Sequence, residues 1–65
     1  MNTLYLDRKN LAVKLDGGAL ALYENGERRG SVPLHLLERV VIKGGVEMDN
    51  PVFGALRNWA VTVSQ

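Results

Sequence analysis

The residues of this chain best suited to chemistry are basic, and four of them come as adjacent pairs, Arg8-Lys9 and Arg28-Arg29. Paired cations at turns suit phosphate, because a guanidinium offers a planar fork of donors and an ammonium a compact point charge. Arg8 and Lys9 lie in a polar turn, Arg8-Lys9-Asn10. Arg28 and Arg29 follow an Asn25-Gly26 dipeptide. Lys14, Arg39 and Lys43 read as strand-end or strand-face charges. The competing reading of all these cations is edge-strand charge that blocks sheet-to-sheet association. Arg28, placed opposite Tyr23, is also expected to stack on that ring.

The other reactive side chains do not converge. Asp7, Asp16, Glu24, Glu27, Glu38, Glu47 and Asp49 sit mostly at turns or strand ends, where carboxylates are solvated or cap backbone N–H groups. His35 is the only histidine and stands next to leucines, with no acid at the helical i+4 position. Gly17-Gly18 lacks the Lys-Ser/Thr of a phosphate loop and opens no helix. Ser31 and Ser64 have no base within reach. No catalytic constellation and no metal-ligand set emerges.

The bulk numbers restrict the context. Sixty-five residues make one small domain, 1–65, near the lower limit for an independent core. With no cysteine there is no disulfide or thiolate metal site to reinforce it. The expectation is therefore a β surface completed by another domain or subunit. The lack of cysteine and of a secretory leader suits the cytoplasm. No apolar run approaches the length of a membrane helix. A net charge of +1 is too small for an independent nucleic-acid binder, so any such contact must come from a local patch.

The elements that must position the cations follow from periodicity. Thr3 to Asp7 alternates and predicts an opening strand, and Leu11 to Leu15 a second. Asn25-Gly26 predicts a type I′ hairpin, which pairs Glu24 with Glu27, Tyr23 with Arg28 and Leu22 with Arg29. A two-residue turn at Asp16-Gly17 or Gly17-Gly18 keeps Leu11, Val13 and Leu15 on one face with Leu20 and Leu22, since a one-residue slip inverts every side chain. Pro33 to Glu38 predicts a short helical turn burying Leu34 and Leu37, with Pro33 at the first helical position. Val40-Val41-Ile42 has the pattern of a strand covered on both faces. Val46 to Met48 reads as a short edge strand. Asp49-Asn50-Pro51 predicts a capped helix carrying Val52, Ala55, Leu56 and Trp59 as one stripe. Trp59 and Phe53 are expected in core or interdomain packing rather than as base-stacking platforms. Ala60 to Ser64 returns to strand and closes a β-α-β unit. Ser64-Gln65 stops where a buried strand should continue, which reads as a domain cut from a longer protein. The fold class is mainly β (α+β): an antiparallel meander in a sandwich-like lobe, with one helical turn and one helix.

Taken in order, these motifs resemble a known domain. Thr3-Leu4-Tyr5-Leu6-Asp7, the Leu-Asp-Gly-Gly turn, Asn25-Gly26-Glu27-Arg28, Val32-Pro33-Leu34, Leu37 to Ile42 and Asn58 to Val63 are together similar to the N-terminal β domain of the CRISPR-associated adaptation integrases. These are prokaryotic endonucleases of spacer acquisition in antiviral defense. The resemblance implies a lobe followed by a helical domain, which carries a divalent-metal site (Mg or Mn) of Glu, His and Asp. None of those positions falls in residues 1–65, so neither catalytic nor metal-binding residues are carried over. It further implies a homodimer, double-stranded DNA as partner of the full-length protein, and a second, smaller subunit in the adaptation complex. The turn Arg8-Lys9-Asn10 would approach the end of the DNA duplex. Some members have an aromatic wedge near this turn; Arg8 instead offers phosphate contact or guanidinium stacking. DNA-binding candidates are thus Arg8, Lys9, Arg28 and Arg29. The alternatives are a self-contained small β-barrel that binds nucleic acid, and a purely structural dimerisation domain.

Overall fold

A computed structural model of the chain describes residues 2–64. Met1 and Gln65, the ends of the expected 1–65 domain, lie outside the described residues. The strands are β1 (Thr3–Leu6), β2 (Leu11–Asp16), β3 (Ala19–Glu24), β4 (Glu27–Pro33), β5 (Arg39–Ile42), β6 (Val46–Met48) and β7 (Thr62–Ser64). A 3-10 turn covers Leu34–Leu36 and helix α1 covers Asn50–Asn58. The strands form two sheets, ordered β1-β5-β7 and β4-β3-β2-β6.

The meander β2-β3-β4 is the antiparallel part. Asp16 pairs with Ala19, so the first turn is Gly17-Gly18. Gly17 has φ +61 and Gly18 lies outside the left-handed region, the φ pattern of a type II′ turn. Asn25 at φ 54 and Gly26 at φ 80 give the expected type I′ tip. Leu15 faces Leu20 and Val13 faces Leu22, as a two-residue turn requires. Beyond the tip the spacing holds for only two pairs, Glu24 with Glu27 and Tyr23 with Arg28. Leu22 pairs with Gly30 rather than Arg29, because a bulge shifts the register there. The shift has a packing cause. It sets Val32 opposite Leu20 and Ser31 opposite Ala21, whereas an unbulged ladder would turn Ser31 to the core and Val32 to solvent.

The second sheet is parallel throughout, with the β5–β7 pairing that the β-α-β unit requires and β1 added in parallel on the other side of β5. Thr3 is registered with Arg39 and Arg39 with Thr62; strands this far apart in sequence need no hairpin reversal. α1 lies between β5 and β7 in the chain, as the β-α-β expectation has it. β6 leaves that connection to pair in parallel with β2 at the edge of the other sheet. Val40 and Ile42 are buried but Val41 is only half-buried, so β5 is covered on one face, not both. Among the described residues no second layer covers the face that also carries the exposed Tyr5 and Thr62.

The core lies between the sheets, around Leu6, Val13, Leu20, Leu34, Val40 and Ile42, with no buried polar side chain among the described residues. Pro33 ends β4 and precedes the 3-10 turn instead of opening it, while Leu34 and Leu37 are buried as expected. α1 packs on β2 and β7 through Val52 and Leu56, each fully buried and contributing about 2 kcal/mol. Its N-cap is Asp49, whose Oδ1 accepts from the Val52 N–H at 3.4 Å; Pro51 follows in the first turn. Trp59 is the C-cap of α1 and is 52% exposed, and Phe53, off the apolar stripe, is 37% exposed. Neither belongs to this domain's core, because the nine-residue helix ends before the stripe's i+7 position.

Candidate functional site

Two turns meet at one end of the sandwich. Asn10, with φ 61, closes the turn after β1, and its carbonyl accepts a 3.1 Å hydrogen bond from the N–H of Asn25 at the hairpin tip. The β2–β3 register sets Leu11 opposite Glu24. Together these bring the Arg8–Asn10 turn alongside the end of β3. Between them opens a cleft of about 430 Å³, lined by Tyr5, Arg8, Leu11, Leu22, Glu24 and Arg29. The bulge leaves side-chain-free Gly30 across from Leu22 at its base.

Arg8 and Arg29 converge on one carboxylate oxygen. Arg8 Nη1 lies 3.6 Å and Arg29 Nε 3.5 Å from Glu24 Oε1. Arg29 Nη1 also lies 3.4 Å from Glu27 Oε1. Lys9, exposed in the same turn, makes no ion pair among the described residues. Arg28 is separate: it points to the opposite face of the meander, where its Nη1 donates to Asp16 Oδ2 at 3.1 Å. The expected Arg28–Tyr23 stack is replaced. Lys14 Nζ sits 5.3 Å from the centre of the Tyr23 ring, favoured because Lys14 shares that face and Asp16 draws Arg28 away.

Two of the four candidate cations, Arg8 and Arg29, therefore share one rim, with Lys9 exposed in the adjoining turn. That rim is charge-balanced, since Asp7, Glu24 and Glu27 stand beside Arg8, Lys9 and Arg29. Such a surface can hold a phosphate only where a guanidinium exchanges its carboxylate for the incoming oxygen. Two residues of the cleft go beyond the sequence-based set. Glu24 had a partial signal in the two tight turns, which set it opposite Leu11, but its enclosure depends on the contact between the turns. Tyr5, 65% exposed, gives no such signal, because alternation sets its face but not the neighbouring cleft.

Acid and imidazole groups stay apart. Among the described residues no three His, Cys, Asp or Glu side chains are grouped to hold a metal ion. His35 is exposed in the 3-10 turn. Glu38 accepts from the Asn2 N–H at 3.0 Å, which ties the start of β1 to the approach to β5. A divalent cation of the kind the resemblance implies finds no donor set in these residues.

No family model matches the chain. It is 40% identical over 63 residues to CRISPR-associated endonuclease Cas1 1 of Thermodesulfovibrio yellowstonii, covering 97% of this chain and 20% of that protein. It is 30% identical over 63 residues to CRISPR-associated endonuclease Cas1 2 of Rhodospirillum rubrum, covering 18% of that protein. The chain thus spans about a fifth of the length of these relatives. Among solved structures it is similar to a chain of a partial Cas6-RT-Cas1–Cas2 complex, with TM-score 0.87 at 19% identity over 95% of its residues. It is also similar to the Cas1 protein TM1797 of Thermotoga maritima, with TM-score 0.79 at 14% identity.

Proposed function

Proceeding from the similarity of this chain, in sequence and in fold, to the N-terminal β domain of Cas1 endonucleases, we propose that it serves as that domain in a CRISPR-associated integrase. Its part is dimerisation and support of DNA during spacer capture and integration in the cytoplasm. It is non-catalytic by itself, and the divalent metal belongs to the longer protein. The partners are a second copy, double-stranded DNA and the Cas2 subunit. One observation carries the reading: an alignment over 97% of this chain takes up only 20% of the relative's length. The scattered carboxylates agree with it. No helix among the described residues is long and apolar enough to cross a membrane.

The DNA-supporting surface is the rim of Arg8 and Arg29 with the adjoining Lys9, and Arg28 adds charge at the same hairpin from the other face. The charge balance of that rim favours, as a second reading, a purely structural dimerisation domain. Two measurements test these readings. The 65-residue chain, given duplex DNA with Mg²⁺ or Mn²⁺, is expected to leave it uncut; cleavage overturns the non-catalytic assignment. Reversing charge at Arg8, Lys9, Arg28 and Arg29 in a Cas1 protein bearing this domain is expected to weaken duplex binding. Unchanged binding with an intact dimer selects the structural reading.

A further inference from the structure

The cleft holds one carboxylate that sits differently from the rest. Glu24 has a side chain only 19% exposed, while its two partners Arg8 and Arg29 are 72% and 59% exposed. The acid is therefore fixed at the back of the cleft and both guanidiniums lie toward solvent. A positioning clamp would show charge-assisted hydrogen bonds of about 2.7–2.9 Å. The pairs here are 3.5 and 3.6 Å long and neither is a hydrogen bond. Arg28–Asp16, by contrast, is both ion pair and hydrogen bond at 3.1 Å. Glu24 neutralises its arginines without locking them.

We propose that Glu24 is an internal competitor for phosphate, occupying Arg8 and Arg29 in the free protein and yielding them to a nucleic-acid backbone on binding. This rests on the reading of the rim as a DNA-supporting surface. An anion arriving from solvent meets two exposed guanidiniums set in front of a recessed carboxylate that holds neither by a hydrogen bond. Ion pairs this long, with both guanidiniums toward solvent, are weak, so a multivalent phosphate backbone displaces them readily while an isolated anion does not. The competitor lowers affinity for any single phosphate and leaves the surface responsive to strands that engage Arg8, Lys9 and Arg29 together.

The test uses a fluorescein-labelled DNA duplex and anisotropy titrations across a salt series, in a Cas1 protein bearing this domain. Glu24→Gln keeps the shape and removes the charge. It is expected to tighten binding by about 3–10-fold at low salt and to steepen the log–log salt slope by up to about 1, as one further phosphate contact would. Glu47→Gln, an exposed acid of β6 that does not line this cleft, is the control and is expected to leave binding unchanged. Arg8→Glu with Arg29→Glu tests the underlying surface. Loss of binding in that pair with tightening in Glu24→Gln supports the proposal. Loss in the pair with unchanged or weaker binding in Glu24→Gln overturns the competitor role and leaves the surface standing. Unchanged binding in the pair overturns both. Thermal melts of each variant confirm that the fold is retained.

Discussion

Exchanging one glycine and one alanine around α1 is expected to stabilise the domain. The helix ends in a Schellman motif: the Val61 N–H bonds to the Leu56 carbonyl at 2.9 Å and the Ala60 N–H to the Arg57 carbonyl at 3.0 Å. The residue that turns left-handed is Ala60, at φ 55. A Cβ there costs about 1–2 kcal/mol. Ala60→Gly removes that strain but loosens the unfolded chain by about 0.4–1 kcal/mol, leaving a net gain of about 0.5–1 kcal/mol. Gly54 is the reverse case. It lies inside the helix with right-handed φ, and an added Cβ meets nothing within 4 Å. Gly54→Ala is worth about 1 kcal/mol. Urea denaturation of the two single variants and the double variant is the assay. The double variant should gain about 1.5–2 kcal/mol, or roughly 6–16 °C in Tm for a domain of this size. A loss of stability in Ala60→Gly, or a double variant no better than the parent, refutes the reasoning.

Two further outcomes are expected. Gly17→Ala should cost about 1–2 kcal/mol through its φ of +61, while Gly18→Ala, one residue on and outside the left-handed region with open space around its Cβ, should be neutral or slightly stabilising; equal effects in chemical denaturation would contradict the type II′ assignment. Trp59→Ser should alter stability by less than about 1 kcal/mol while raising the solubility limit, since the ring is largely exposed and off the core; a loss above about 2 kcal/mol would mean that Trp59 packs within the domain.

Local rules made much of the fold legible. Asn25-Gly26 and Gly17-Gly18 set the meander because few dipeptides accept their backbone angles. Asp49 announced its helix because a carboxylate before a proline is a strong start. The bulge was less accessible. Its trace is a change of parity between Arg28 and Val32, which becomes meaningful only once Leu20 is known to be the residue that Val32 must cover. The parallel sheet was legible only in part. Strand, helix and strand over Val40 to Val63 announced the β5–β7 pair, but the pairing of Thr3 with Arg39 is non-local, and alternation within one strand carries no record of its neighbour. The candidate site divides along the same line. Arg8, Lys9 and Arg29 stood out by type, but the sharing of one rim by Arg8 and Arg29, and the turning of Arg28 to Asp16, depend on the contact between two turns. Glu24 looked like any strand-end acid until that contact enclosed it.

The three-stranded sheet also has a consequence for the order in which the protein takes shape. The meander uses one continuous stretch, so its hairpins can close as soon as residues 11–33 leave the ribosome. β1 emerges earlier and waits longer. Its one strand partner among the described residues begins at Arg39, and that partner's other flank is filled only when Thr62 appears. Long loops must therefore close before these contacts form, which makes this the slower half of the molecule. β1, made before the meander, is among the last elements secured, and in the interval its Leu4 and Leu6 are free to find the wrong neighbour.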